Sequence, residues 1–221
     1  MKKYAFYISG RSGRLQKFIL LAGEERIKSI GLVISDAPID ENLRRVLADK
    51  KILFEEFNYE NAVGTRKEKN LKLSDFMLER FMEKEIDYMI SFGRHLLSGK
   101  LLDRYRWHLI NFHPSILPMY PGKNAIDQAM DSENTFLIGN TVHFIDSGMD
   151  TGTIIMQSVK PLKAFSDSGN YNVILDMQIE MLNKLLYVLD YDLLHIQNNR
   201  AFIEAADYTE GHIYPNIQVN I

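Results

Sequence analysis

YAFYISGRSGRLQKFILL, residues 4–21, is the stretch of sequence that decides the fold. Tyr4–Ile8 is a continuous apolar run that stops at Ser9 and Gly10, which is typical of a strand buried on both faces of a parallel sheet. Leu15–Leu21 follows with the apolar content of a helix that packs on such a sheet. A strand, a short turn and a helix in this order predict the first unit of an α/β protein.

Strands and helices continue to alternate through the first half of the chain. Further strands are predicted at Ile30–Ile34, Ile52–Phe57, Ile86–Phe92 and Trp107–Phe112, and helices at Asn42–Ala48 and near Leu96–Arg104. The polar segment Glu60–Leu73 is interpreted mostly as a solvated loop or the start of a helix. Ser74 and Asp75 are predicted to cap a helix, because apolar residues recur after them at helical spacing, at Phe76, Leu78, Phe81 and Met82.

The pattern changes after a short helix predicted at Ile126–Met130. Two strands and a long helix are predicted next, at Thr141–Ile145, Ile154–Val159 and Val173–Leu189. Arg200–Ala205 is predicted to be a final strand and a hairpin partner for the tail, residues 208–221. We therefore predict an α/β fold in a single domain, residues 1–221, with a Rossmann-like, mostly parallel twisted sheet flanked by helices and a C-terminal antiparallel extension.

Composition narrows the class of protein. With 221 residues, 46% hydrophobic and 25% charged, the chain is long enough to bury a substantial core. A net charge of −3 with interspersed signs gives no basic patch for nucleic acid or a membrane surface, so neither partner is expected. The absence of Cys excludes disulfides and thiolate nucleophiles, and it favours a cytoplasmic location. His113 and His143 lack a ligand spacing, so no metal is expected.

Three motifs stand in a fixed order in the second half of the chain. They read N-x-H-P-S-x-L-P-x-Y-P-G at residues 111–122, G-N-T-x-H-F at 139–144, and D-x-G-x-D-T-G-x-I-I at 146–155. Together they resemble the active-site signature of the folate-dependent formyltransferases. The resemblance implies an enzyme that moves a formyl group from 10-formyltetrahydrofolate to a primary amine. It also implies a nucleotide- or phosphate-binding half at about residues 1–105 and a catalytic and folate-loop half at about 106–221.

The resemblance carries the catalytic role over to Asn111, His113 and Asp150. Formyl transfer passes through a tetrahedral adduct, which needs a donor for the oxyanion and a group that moves protons. Asn111 and His113 face the same side of an extended segment, so both can point at one carbon. Asp150 would raise the basicity of the imidazole or accept the amine proton through water. Taken singly, each of these residues is more often structural, and His143 is interpreted as support for the site.

The donor and acceptor regions are also implied by the resemblance. The segment Phe92–Leu97 corresponds to the part that holds the pterin edge, largely through main chain, and the loop Ile145–Asp150 would close over it. The predicted cofactor-binding residues are Arg94, His95, Leu97, Ile145, Asp146 and Met149. The acceptor phosphate would bind where backbone amides meet the start of a helix, at Ser9, Gly10, Arg11, Ser12, Gly13 and Arg14. The alternative for the two Arg residues is that they are only solvated charges.

The acceptor amine is predicted from the long helix and from the phosphate loop. Glu180 on the long helix is predicted to meet the amine, with Gln178 as the alternative. The Arg residues of the phosphate loop favour a nucleotide-linked amino sugar, used in surface polysaccharide synthesis. The alternative is glycinamide ribonucleotide, in purine biosynthesis, and a more remote one is a folate-binding protein without catalysis. The partner is thus a small amine that carries phosphate or a nucleotide, and a homodimer is compatible with the sequence.

Overall fold

The computed structural model describes residues 1–163 and 172–209. The strands are β1 Tyr4–Ile8, β2 Ile30–Ser35, β3 Phe54–Glu56, β4 Tyr88–Phe92, β5 Leu109–His113, β6 Leu137–Phe144, β7 Ile154–Pro161, β8 Leu194–Gln197 and β9 Arg200–Ile203. The helices are α1 Gly13–Leu21, α2 Glu24–Ser29, α3 Glu41–Asp49, α4 Arg66–Glu83, α5 Lys100–Arg104, α6 Ala125–Met130 and α7 Asn172–Asp190. Among these helices, none joins the length and the apolar composition that crossing a bilayer requires.

The main sheet has the strand order β3-β2-β1-β4-β5-β6-β7. The pairings β1–β2, β1–β4, β2–β3 and β4–β5 are parallel. Strand β1 is buried along its whole length, which explains why its sequence is apolar at every position rather than alternating. The strand order reverses between β1 and β4, and in open parallel sheets ligands bind beyond the carboxyl ends of strands at such a point. The predicted α/β fold with a mostly parallel sheet is confirmed.

The chain packs as two compact units. The first contains Met1–His113 and Val142–Ile154, and the second contains Pro114–Thr141 and the segment that starts at Ile155. Strands β6 and β7 each contribute residues to both units. The predicted halves at about residues 1–105 and 106–221 remain a prediction.

The core of the first unit forms where α4 packs on the sheet. Leu73, Met77 and Phe81 recur at four-residue spacing on one face of α4 and are fully buried. They pack in one cluster with Ala5 of β1 and Leu32 of β2. Full burial of an apolar side chain of this size contributes about 1.5–3 kcal/mol. This packing fixes the position of β1, whose carboxyl end leads into the predicted acceptor loop.

The start of α4 differs from the prediction, and the assignment of Ser74 as its cap is wrong. The helix begins at Arg66, and Thr65 forms a capping box with Glu68. The Glu68 carboxylate accepts from the Thr65 N–H at 2.7 Å, and the Thr65 hydroxyl accepts from the Glu68 N–H at 3.4 Å. Ser74 lies inside the helix, where its hydroxyl donates to the Asn70 carbonyl at 2.8 Å. A Thr three residues before a Glu was a sufficient signal within the segment interpreted as a loop.

Thr65→Ala is expected to lower the free energy of unfolding by about 1 kcal/mol, because the substitution removes the acceptor for a helix N–H. Thr65→Ser keeps the hydroxyl and serves as the matched control, with a loss of a few tenths of a kcal/mol at most. Urea unfolding followed by circular dichroism measures both variants. Equal losses in the two variants would contradict a capping role.

The C-terminal strands also differ in part. Arg200–Ile203 pairs antiparallel with Leu194–Gln197, and the predicted hairpin partnership of this strand with the tail stays a prediction. Residues 210–221 of that tail lie outside the described residues. The predicted C-terminal antiparallel extension is confirmed as this two-stranded sheet. Helix α2 was not predicted, and α5 begins at Lys100 rather than near Leu96.

Candidate active site

Strand β5 carries the amide and the imidazole of the first motif. Asn111 pairs in register with Ser91 of β4, and His113 is the last residue of β5. His113 is buried, with 5% of its surface exposed, and Asn111 is half-buried. Both residues lie at the carboxyl end of a parallel strand, two positions apart, so their side chains leave the same face of the sheet. The spacing that predicted a shared direction is therefore present in the structure.

His143 of β6 orients the Asn111 amide. The His143 Nδ1 lies 2.8 Å from the Phe144 carbonyl oxygen, which can only accept, so Nδ1 carries the hydrogen. In the neutral ring Nε2 is then an acceptor, and it lies 3.2 Å from the Asn111 Nδ2. Each contact requires the same tautomer, which is an assignment from geometry. The amide nitrogen has two hydrogens, so this bond leaves the second one for another acceptor.

Asp150 brings a carboxylate to both imidazoles. Its Oδ2 lies 3.4 Å from the His113 Nδ1, and its Oδ1 lies 3.6 Å from the His143 Nε2. The Asp150 side chain is 12% exposed. Asn111, His113, His143 and Asp150 thus form one polar cluster, with His143 in contact with both Asn111 and Asp150.

The loop between β6 and β7 sets the position of Asp150. Asp150 has a positive φ of 54°, which its short polar side chain tolerates. Asp146 accepts from the Gly148 N–H at 3.0 Å and from the Thr151 hydroxyl at 2.7 Å, so the turn is closed by its own side chains. A Cβ on Gly148 would lie 2.1 Å from the Thr151 Oγ1, so only glycine fits there. The Asp146 carboxylate therefore holds the loop that carries Asp150.

The predicted cofactor-binding residues all lie in the first unit, where some are exposed and others are buried. Arg94 and Met149 are exposed, and Leu97 is buried in a core cluster against which Ile145 packs. The His95 ring stacks on the Tyr59 ring, with centroids 3.6 Å apart. Burial lowers the pKa of His95, against the nearby charge of Asp36, which raises it. Leu97 in this position can offer a ligand only main-chain atoms, and Asp146 is engaged within its own loop.

The predicted acceptor loop connects β1 to α1. Gly10 has a positive φ of 68°, and its N–H donates to the Ser35 hydroxyl at 3.1 Å. Arg11 is exposed and pairs with Asp40 at 3.3 Å. The Arg14 guanidinium lies 4.6 Å from the centre of the Phe92 ring, and burial lowers its pKa to about 10, so it is charged at neutral pH. Ser9 and Ser12 flank Gly10 and Arg11, and Gly13 is the first residue of α1.

Glu180 and Gln178 lie in the second unit, on α7. Glu180 is exposed and pairs with Lys184 at 2.8 Å, which lowers the pKa of the Glu180 carboxyl. It lies on a groove of about 750 Å³ between β7 and α7, where Met156, Met177 and Met181 are also in the lining. Gln178 is buried, and its amide donates to the Asn140 side chain at 2.6 Å. Of the two candidates, Glu180 is the one that solvent reaches.

Comparison with known proteins decides the family. The family described as formyl transferase matches residues 2–181. The chain belongs to this family.

Individual relatives of this formyltransferase agree with that assignment. The phosphoribosylglycinamide formyltransferase of Bacillus subtilis is 32% identical over 161 residues, covering 71% of this chain and 78% of the relative. That of Haemophilus influenzae is 30% identical over 166 residues, covering 73% and 74%. The glycinamide ribonucleotide transformylase 1 structure from Symbiobacterium toebii has a TM-score of 0.78 at 26% identity, covering 92% of this chain and 94% of that one.

The family assignment confirms the enzyme class predicted from the three motifs. The chain is a formyltransferase, and its formyl donor is 10-formyltetrahydrofolate. His143, interpreted from the sequence as support for the site, contacts both Asn111 and Asp150. The signal was its place in the strand motif G-N-T-x-H-F, immediately before the loop that carries Asp150. Among the described ranges, 1–163 and 172–209, no group of three or more potential ligand side chains suits a metal ion.

Proposed function

We propose that this formyltransferase transfers the formyl group of 10-formyltetrahydrofolate to the primary amine of glycinamide ribonucleotide, a step of purine biosynthesis. The observation that carries the proposal is the convergence of Asn111, His113 and Asp150 at the carboxyl end of β5. The acceptor is inferred from relatives at 30–32% identity that are named phosphoribosylglycinamide formyltransferases. This acceptor replaces the amino sugar as the favoured one, while the predicted homodimer remains a prediction.

The proposed reaction uses the three side chains in different roles. The acceptor amine attacks the formyl carbon, and the carbonyl oxygen becomes an oxyanion that the second Asn111 N–H stabilises. Asp150 receives the proton that the amine loses, directly or through a water molecule. His113, beside Asp150, donates a hydrogen bond to the oxyanion and gives a proton to N10 as the C–N10 bond breaks, and the proton that Asp150 took from the amine then replaces the one that His113 lost. The products are the N-formyl acceptor and tetrahydrofolate.

His143 is a positioning residue in this mechanism. Its Nδ1–H bond to the Phe144 carbonyl keeps Nε2 unprotonated, and Nε2 then accepts from Asn111. In the other tautomer, Nε2–H would face the amide nitrogen of Asn111, and two donors would oppose each other. The arrangement therefore keeps the amide nitrogen of Asn111, rather than its oxygen, available to the oxyanion.

The phosphate of the acceptor is proposed to bind at residues 9–14. The loop follows a strand and leads into α1, so main-chain N–H groups and the helix dipole favour an anion there. Arg14 remains charged because its lowered pKa of about 10 is still well above neutral. Arg11 is a weaker candidate, because it is exposed and engaged with Asp40.

A nucleotide-linked amino sugar is the second candidate acceptor. Two Arg residues in one short loop suit a diphosphate better than a single phosphate. Glu180 is compatible with either acceptor, since a carboxylate can bind any primary amine. This candidate shares the proposed formyl chemistry and differs only in the acceptor.

An acceptor screen separates the two candidates. With 10-formyltetrahydrofolate, we expect kcat/KM for glycinamide ribonucleotide to exceed that for any amino-sugar nucleotide by roughly 10²-fold or more, because the wrong acceptor leaves polar groups of the site unpaired. Formation of tetrahydrofolate measures the rate, and the protein without acceptor gives the background. Turnover of an amino-sugar nucleotide alone would reverse the choice of acceptor. Turnover of no acceptor in either class would overturn the proposed function.

A further inference from the structure

Asp36 is a fully buried carboxylate that the proposed mechanism does not use. It follows β2, and its side chain has no exposed surface. Its Oδ2 accepts hydrogen bonds from the Tyr7 hydroxyl and, at 2.6 Å, from the Ser9 hydroxyl. A buried charge persists only where donors compensate for lost hydration. Burial, followed by the charge of Asp36, raises the pKa of Tyr7, so the phenol keeps the hydrogen that it donates.

The same two hydroxyls hold two consecutive main-chain N–H groups after β4. The Ser9 hydroxyl accepts from the Arg94 N–H at 3.0 Å, and the His95 N–H faces the Tyr7 hydroxyl oxygen, which lowers the pKa of the phenol against the larger effect of burial. Two series of contacts, each from a main-chain N–H to a hydroxyl and on to a carboxylate, therefore end at the same oxygen of Asp36. Each hydroxyl has one hydrogen, which it donates in a hydrogen bond to Asp36. The hydroxyl oxygen can therefore only accept a hydrogen bond from the main chain. The network thus fixes the direction of both N–H groups.

Packing restricts the same segment from two further sides. A Cβ on Gly93 would lie 2.0 Å from the Tyr7 ring, so the backbone runs directly over that ring and only glycine fits. The His95 ring stacks on Tyr59 at 3.6 Å, and the Tyr59 hydroxyl donates to the Asn70 side chain at 2.7 Å. The backbone between β4 and α5 is consequently held by hydrogen bonds to the Ser9 and Tyr7 hydroxyls and by contacts with the Tyr7 and Tyr59 rings.

We propose that Asp36 is a positioning residue for the formyl donor. Acting through Tyr7 and Ser9, it sets the backbone of residues 93–97, so that their main-chain groups meet the pterin edge in one geometry. The inference rests on the proposed function, together with the resemblance, which implies that the segment Phe92–Leu97 holds the pterin edge. A network confined to folding would affect the stability of the protein alone. A positioning network affects the affinity for folate in variants that remain folded.

Ser9 connects the Asp36 network to the acceptor loop as well as to the donor segment. It is also the first residue of the proposed acceptor loop, and its single hydroxyl links that loop to both Asp36 and the Arg94 N–H. Loss of this hydroxyl frees the acceptor loop and the donor segment together. Loss of the Tyr7 hydroxyl mainly frees the donor segment, because the phenol contacts the His95 N–H and reaches the acceptor loop only through the Ser9 side chain. Removal of the Ser9 hydroxyl and removal of the Tyr7 hydroxyl are therefore expected to change the KM values for donor and acceptor differently.

The test compares Tyr7→Phe and Ser9→Ala with the wild-type protein. We expect Tyr7→Phe to raise the KM for 10-formyltetrahydrofolate and the Kd for tetrahydrofolate by about tenfold, the scale of one hydrogen bond, with a much smaller change in acceptor KM. Ser9→Ala is expected to raise both KM values. Tyr105→Phe is the matched control, since the ring of Tyr105 packs against Phe81 and the hydroxyls that donate to Asp36 are those of Tyr7 and Ser9, so its donor KM should equal that of wild type.

Two Asp36 variants extend the test to the carboxylate. Asp36→Asn retains an oxygen that accepts from both hydroxyls, so its donor Kd should lie between those of wild type and Asp36→Ala. Calorimetric titration with tetrahydrofolate gives Kd, and thermal unfolding verifies the fold. If Tyr7→Phe lowers Tm but leaves the donor Kd and KM unchanged, the inference is wrong and the proposed function stands. If the wild-type protein does not bind tetrahydrofolate, the proposed function fails first and the inference fails with it.

Discussion

Asn111→Ala is expected to lower kcat for formyl transfer by about 10²–10³-fold, the effect of removing one oxyanion donor. The amide is oriented before substrate binds, because His143 accepts one of its hydrogens at 3.2 Å and leaves the other for the oxyanion. A donor held in this way stabilises negative charge that exists only in the transition state, so kcat falls far more than donor KM rises. Steady-state rates at saturating 10-formyltetrahydrofolate measure the effect.

The control for this substitution is Asn134→Ala, an exposed amide in the second unit, which should leave kcat at the wild-type value. Tetrahydrofolate should bind to Asn111→Ala with wild-type affinity, since the proposed donor contacts lie in other segments. A kcat within a factor of about 3 of wild type would remove Asn111 from the mechanism, because oxyanion donors have larger effects.

The second large effect is expected for Asp150→Asn, which should lower kcat by about 10²–10⁴-fold, as loss of a general acid–base group does. The amide keeps the size of the carboxylate but cannot take the amine proton. The substitution also removes the negative charge that lies 3.4 Å from the His113 imidazole, so the hydrogen-bond acceptor beside this ring is weaker. Both consequences reduce the rate of the chemical step rather than the binding of either substrate.

The matched substitution is Asp131→Asn, an exposed carboxylate after α6, for which wild-type kinetics are expected. Circular dichroism and Tm verify that Asp150→Asn retains the fold. The assignment of proton transfer to Asp150 would not survive if Asp150→Asn retained wild-type kcat across the pH range. An increase in acceptor KM alone would instead make Asp150 a binding residue.

Strands of the sheet were predictable from the sequence, whereas the start of a helix was not. Strand β1 was predictable because a run that is apolar at every position has few alternatives to a strand buried on both faces. The start of α4 was misassigned because Ser74 and Asp75 have the composition of a cap, while the Thr65 capping box lies in a segment dominated by charge. Local composition indicated that a helix was present but did not distinguish between two possible beginnings.

Sequence by itself determined the formyltransferase motifs, the parallel order of the first strands and the direction of Asn111 and His113. These properties follow from two-residue periodicity and from motif spacing, which are local to the chain. Only the tertiary structure decided that His143 fixes the Asn111 amide and that Asp36 collects hydroxyls from β1 and the loop after it. Those bonds join residues 27–32 positions apart, and the register between strands, which the periodicity of a single strand does not encode, brings them together.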